Sequence, residues 1–396
     1  AMRLSLVDKQ SVDFPLYAGA WVSQNLFIVG GGGGNPQFGV PNRIIVYRLV
    51  QGEGNTPESM RQVADMKCSG VVRAVLPLHT ANHTFYVVTH SVIYALTLMD
   101  PDTEDIRISV VSTLSPSLPE GEGFNAAALC SDALITGRTD GVVQAWLRRS
   151  VQVGAVRMEM IDRTPLRLPG SHDDVINSVV GSYIEGGRLL AISLSLNGQY
   201  IAQEFSFDKE DPVVITSHPS LKVTPYSSGK SKAQPCIARR LYSFPAYSHL
   251  AAVDKEPIVH VAAVSREGGC FGTVGLLSGE VLTSSRINTE SQPVALSGTV
   301  EGGYIGAGYS EGGLALVSPE LGTRYSRMAQ GPSADNTVTH VLCAPGGLSI
   351  VSVTIGGDVR LHSVTFGKQG GNSLAGVLLF MFLMLVAMLV LLAMRK

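Results

Sequence analysis

Asn125-Ala-Ala-Ala-Leu-Cys130, Ala133-Leu-Ile-Thr-Gly-Arg138, Asp140-Gly141 and Val142-Val-Gln-Ala-Trp146 follow one another in the chain, and the fold is read from them. They spell an apolar strand, a small-residue turn and a second strand ending in Gly. An Asp-Gly turn and a third strand complete the unit. The same unit returns as Val338-Thr-His-Val-Leu342, Leu348-Ser-Ile-Val-Ser-Val-Thr354, Gly356-Gly357 and Asp358-Val-Arg-Leu-His362. It returns again as Pro293-Val-Ala-Leu296, Tyr304-Ile-Gly-Ala-Gly308, Gly312-Gly313 and Leu314-Ala-Leu-Val317. Further copies lie near residues 72–98, 175–206 and 258–284, and residues 14–49 make a seventh. One such sheet cannot bury its own faces, whereas sheets stacked radially cover one another. The expected fold is therefore all-β: a seven-bladed WD-type β-propeller over residues 2–366. A pair of β-sandwiches is the alternative, and the regular Gly-Gly turn favours the propeller. Some 365 residues over seven units is about 52 each, above the ~40–45 of a WD-type blade. The excess is assigned to polar connections at residues 51–61, 115–123 and 222–234. Ala145-Trp146 stands where such blades often have Trp-Asp.

Composition narrows the function classes. The 43 glycines and the paucity of aromatic residues fit many turns and short strands. A formal net charge of −2, with 16% charged residues, argues against a nucleic-acid-binding surface, which needs a basic excess. Cys68, Cys130, Cys236, Cys270 and Cys343 are odd in number and widely spaced, with no zinc-ligand pattern, so reduced buried thiols are expected. The sequon at Asn82 matters only in a secreted chain. Residues 2–8 carry Arg3 and Asp8 and no long apolar region, so no secretory signal is expected there.

Residues 374–394 contain no charge and no proline. As a helix these 21 residues would span about 31 Å, enough for a hydrocarbon core of about 30 Å. A buried core helix would carry a polar face, and this run has none. The expectation is a tail anchor: propeller in the cytosol, C-terminus lumenal, with residues 367–373 as a short flexible tether. The span suits the thinner bilayer of the endoplasmic reticulum.

The most unusual local feature is Gly30-Gly-Gly-Gly-Gly34-Asn-Pro-Gln-Phe38-Gly-Val-Pro-Asn42 between two strand-like runs. A dinucleotide fingerprint fails at Asn35. A P-loop fails because Val40-Pro41 stands where Lys-Ser/Thr is required, and Pro36 and Pro41 block the helix both motifs need. A cation held by backbone carbonyls and a plain glycine hairpin both remain open. Val40, flanked by Gly39 and Pro41, reads as an apolar residue near the tip of a loop stiffened by proline. Such a residue anchors well in a partner's pocket, and Phe38 could serve the same way. An enzymatic reading has one foothold, His172-Asp173-Asp174, and no nucleophile or metal set accompanies it.

Tyr17-Ala-Gly-Ala20, a short strand, the glycine run and Gly39-Val40-Pro41-Asn42 together resemble the start of a known family. That family is the transmembrane guanine nucleotide exchange factor of the Sar small GTPase (Sec-twelve, or prolactin regulatory element-binding protein). The close match covers residues 14–48. The resemblance implies a cytosolic seven-bladed propeller anchored in the endoplasmic reticulum membrane, promoting GDP release from Sar and starting COPII coat assembly. It implies a potassium ion held by backbone carbonyls in the loop, with Gly34, Asn35 and Gly39 as candidates. It also implies that Val40 inserts into the GTPase near its nucleotide site with Asn42 as polar partner. Pro36, Gln37 and Phe38 depart from the smaller or more polar residues common there. No catalytic acid, base or nucleophile, no small-molecule substrate and no nucleic acid enters this picture.

Overall fold

The structure, a computed structural model, describes residues 2–366 except 35–36, 38, 53–55, 79–82, 154–155, 185–187, 209–210, 226–233, 245–251, 254–255, 267, 287–291, 300, 302, 320–323 and 329–335. The tether 367–373 and the expected span 374–394 lie outside the described residues. Among the described residues, no helix is long and apolar enough to cross a membrane.

Seven antiparallel sheets carry the chain. Each of the seven units read from the sequence falls in one sheet. The third sheet shows why. Ala133–Arg138 pairs with Phe124–Cys130 on one side and with Val143–Val153 on the other. Asp140-Gly141 makes the second turn, with Gly141 at φ 78°, a left-handed conformation that glycine adopts without a Cβ penalty. Gly357 does the same in the last sheet at φ 87°.

The first strands of the sheets are Leu16–Trp21, Val72–Pro77, Phe124–Cys130, Ile176–Ile184, Cys236–Tyr242, Pro293–Thr299 and Val338–Cys343. Each touches the first strand of the next sheet, and the last touches the first. The sheets are thus blades of a closed ring, and their first strands line its axis. Second strands are buried along most or all of their length, as in Leu26–Gly31, Ala133–Arg138 and Ser349–Thr354, because a neighbouring blade covers each face. This is why apolar residues stand at successive positions in them, as in Leu26–Val29 and Leu134-Ile135, rather than strictly alternating. Trp146 is fully buried, and its indole N–H donates to Thr136 Oγ1 at 2.9 Å, tying third strand to second.

Two expectations are corrected. The excess length is not all polar connection. Residues 57–61 belong to the outermost strand of blade one, Pro57–Lys67, and residues 222–223 form the short strand Lys222–Val223. Outer strands face water and alternate irregularly, so their signal resembles that of a loop. Residues 2–13, which no repeat unit claimed, supply a strand far from their place in sequence. Met2–Ser11 pairs antiparallel with Asp358–Phe366 and completes the seventh blade.

That seam centres on Asp358. Lys9 Nζ lies 2.9 Å from its carboxylate, Ser11 Oγ donates at 2.8 Å, and the buried Arg360 guanidinium donates at 2.6 Å. Burial alone would raise the Asp358 pKa. The bonds from Lys9, Ser11 and Arg360 outweigh it and hold the group below its ordinary value. A depressed folded-state pKa contributes stability that is full above the unfolded value of about 3.9 and is lost as pH falls through the folded one. Asp358→Asn is therefore expected to cost about 1–2 kcal/mol at neutral pH. The gap in thermal midpoint from wild type should close below about pH 4. A gap that persists undiminished at pH 3 would show that the carboxylate does not carry the seam.

Candidate functional site

The glycine-rich loop leaves Leu26–Gly31 and returns into Arg43–Gln51, and the ladder between them ends at the pair Gly31↔Arg43. Beyond that pair the two arms stay in contact. A Cβ placed on Gly32 would lie 2.1 Å from Asn42 Oδ1, and one on Gly33 would lie 2.4 Å from Val40 Cβ. The glycines are there because the returning arm lies directly on them. Gly32 N–H donates to the Pro15 carbonyl at 2.9 Å, fastening the outgoing arm to the base of the blade.

Asn42 closes the loop. Its side chain is 6% exposed. Its Oδ1 accepts from Gly34 N–H at 3.1 Å, and its Nδ2 donates to Gly34 O at 2.8 Å. Its own carbonyl accepts from Cys68 N–H at 2.9 Å, linking the clasp to the connection into blade two. Val40 is half-buried and packs against the cluster that contains Phe14, Leu16, Trp21, Phe27 and Tyr47. Gln37 and Gly39 are exposed, while Pro41 is half-buried. Asn35 and Phe38 lie outside the described residues.

The exposed tip read for Val40 is thus displaced. Val40 turns back over Gly33, where no side chain stands in its way, and Gln37 and Gly39 take the outer position. Asn42 is a buried clasp rather than a surface partner of Val40. Counting outward from Gly31↔Arg43 sets Gly32 against Asn42, as found, but Gly33 against Pro41 and Gly34 against Val40, so the Gly33–Val40 and Gly34–Asn42 contacts depart from the extended register.

The potassium candidates are divided. The Gly34 carbonyl spends one lone pair on the Asn42 amide, Gly39 faces open space, and Asn35 is not described. The described residues alone do not assemble a cage of oxygens. Among the described residues there is also no group of three or more His, Cys, Asp or Glu that could hold a metal.

His172, the enzymatic foothold, is 3% exposed with Nε2 2.7 Å from Ser193 Oγ. Burial pushes its pKa down to about 4, with Asp173 opposing, so it is a neutral tether within the core. All five cysteines are free thiols, and burial pushes Cys68, Cys130 and Cys343 up to about 12.

Sequence reading did not find the ring's channel. Every first strand carries a bulge near its start, between Leu16 and Ala18, Val72 and Ala74, Phe124 and Ala126, Ile176 and Ser178, Ala238 and Arg240, Pro293 and Ala295, and Val338 and His340. The extra residue re-aims side chains toward the axis. Tyr17, Arg73, Asn125, Asn177, Arg240 and Thr339 line a cavity there of about 510 Å³. Several latch one blade to the next. Asn125 donates to Ile176 O at 2.8 Å, Arg240 Nε to Val294 O at 2.7 Å, and Thr339 to Leu16 O at 2.5 Å.

No protein-family model matches the sequence, and no curated protein does. Among solved structures, the WD40 β-propeller domain of Doa1 superposes with a TM-score of 0.59 at 12% identity, over 91% of this chain and 97% of that one. At that identity the likeness speaks for architecture alone. By its own ring closure and by this likeness, the chain is a seven-bladed propeller of the WD40 type.

Proposed function

We propose that this propeller is a guanine nucleotide exchange factor for a Sar-type small GTPase, held on the endoplasmic reticulum membrane by residues 374–394 and starting COPII coat assembly there. The observation that carries the reading is the clasped loop. A glycine-rich hairpin pinned at its neck by Asn42 offers Gln37, Gly39 and part of Val40 as a stiff ridge, and little ordering entropy is lost when such a ridge docks. Exchange needs no bond-making chemistry. A factor that binds the nucleotide-free GTPase better than the loaded one shifts the population toward release. In this reading the ridge displaces the GTPase segment that covers nucleotide and Mg²⁺. Asn42 acts by positioning, and the span decides on which membrane the GTP form appears.

The test is release of a fluorescent GDP analogue from Sar in the presence of the full chain in detergent micelles. Gly39→Asn is the informative variant. A Cβ on Gly39 meets no atom within 4 Å, and asparagine tolerates the φ of 74° found there. Stability should therefore stay within about 1 kcal/mol of wild type, while a side chain standing on the ridge slows exchange at least tenfold. Potassium at the loop is a separate arm of the same assay, read as faster exchange in potassium than in sodium. Wild type that does not accelerate release would replace the exchange reading with a membrane-anchored propeller scaffold, whose loop is a simple hairpin.

A further inference from the structure

We propose that the central channel is a binding site for a phosphate group, held by Arg73 from the second blade and Arg240 from the fifth. Both arginines line the same cavity of about 510 Å³, and among its described lining residues there is no Asp or Glu. Arg73 makes no hydrogen bond to the described residues. Its Nε is buried without a partner, and its guanidinium lies 5.6 Å from the centre of the Tyr17 ring. Arg240 spends Nε on Val294 O and one terminal nitrogen on Asn177 O at 2.6 Å, both neutral carbonyls. Two cations therefore face one cavity whose described lining residues carry no counter-charge.

Such an arrangement is costly unless something supplies the charge, because burial disfavours an ion that its surroundings do not neutralise. Burial lowers the pKa of both guanidiniums, and Tyr17 only partly offsets this for Arg73. His340 lines the same cavity. Its pKa is pushed to about 4 by burial and then by the Arg240 charge, so at neutral pH it offers no second cation. Guanidinium forks match the tetrahedral oxygens of phosphate bidentately, which a carboxylate-free polar channel leaves them free to do. Val175 and Leu196 also line the cavity, and Leu196 lies in the turn after Arg188–Ser195. The mouth thus opens on the face that carries the turns between second and third strands, including the glycine loop. An occupant would bridge two distant blades. The inference stands on the channel alone and does not depend on exchange activity.

The test is the thermal midpoint of the full chain in detergent micelles at constant ionic strength, with sodium chloride replaced stepwise by sodium phosphate. Wild type is expected to rise by at least about 2 °C and to saturate. Arg73→Met should lose that rise while melting in chloride no lower than wild type, since Arg73 has no hydrogen bonds to lose. Arg240→Lys keeps the charge, shortens the fork and should raise the half-saturating concentration about tenfold. An arm with inositol hexakisphosphate separates the sources. Saturation at a concentration at least tenfold lower than for phosphate assigns a polyphosphorylated ligand, and equal concentrations assign inorganic phosphate. Midpoints equal in chloride and in both anions, or a full response in Arg73→Met, would overturn the proposal.

Discussion

A chain lacking residues 2–11 is expected to melt about 10 °C lower than the intact one, or to self-associate more than it does, because the ring has lost its seam. Met2–Ser11 contributes nine paired positions to the seventh blade. At roughly 0.2–1 kcal/mol per cross-strand pair, this is a few kcal/mol out of a total stability of about 5–15 kcal/mol. More than pairing is lost. Leu4 is 6% exposed and packs in one cluster with Val364, Tyr304 and Leu314. Asp8 accepts from Met60 N–H at 2.9 Å, so the same strand also fastens the last blade to the outer strand of the first. Without it, Asp358–Phe366 becomes an unprotected edge, which invites pairing with another copy. Calorimetry and gel filtration read the two outcomes. A truncated chain that melts cooperatively within 2 °C of wild type (about 1.5 kcal/mol or less at this size), with the elution volume expected for the wild-type assembly, would show that the ring closes through its other blades.

Asn42→Ala is expected to cost about 2–3 kcal/mol of stability and, under the exchange function proposed above, to abolish exchange. The substitution leaves Gly34 N–H and C=O without their partner inside a partly buried loop, and each unpaired group costs about 1–3 kcal/mol unless water reaches it. The glycines then work against the loop, since a five-glycine arm without its clasp has more conformations to lose on docking than any other sequence of that length. Asn42→Asp should be worse. A carboxylate still accepts from Gly34 N–H, but it sets a charged oxygen where Nδ2 now donates to Gly34 O. Amide exchange at Gly34 reports the clasp directly, and the GDP-release rate reports its consequence. Slowed release with Gly34 still protected would place the role of Asn42 on the GTPase instead.

The blades were legible because their determinants are local. Asp140-Gly141 and Gly356-Gly357 reverse the chain whatever surrounds them, and Ala133–Arg138 and Ser349–Thr354 are short runs of apolar, Ser, Thr and Gly residues bounded by those turns. The outer strands were less legible. Pro57–Lys67 alternates between water and a neighbouring blade with no clean period, and part of it passed for a connection. At the candidate site, the loop, its glycines and its neck residue were found, but their arrangement was not. Val40 was placed at a tip and Asn42 beside it, because proline stiffening is visible in sequence and hairpin register is not.

Sequence alone therefore determined the repeating sheet, the number of blades, the turn chemistry and the presence of an apolar tail. Tertiary structure alone decided which strand closes the ring, which way Val40 faces, that Asn42 clasps Gly34, and that Arg73 and Arg240 share one channel. The division has one physical cause. Strands and turns follow from neighbours a few residues apart. Closure pairs residue 2 with residue 366, and the channel gathers residues at or beside the bulges of different blades, so both depend on long-range register that no local pattern encodes.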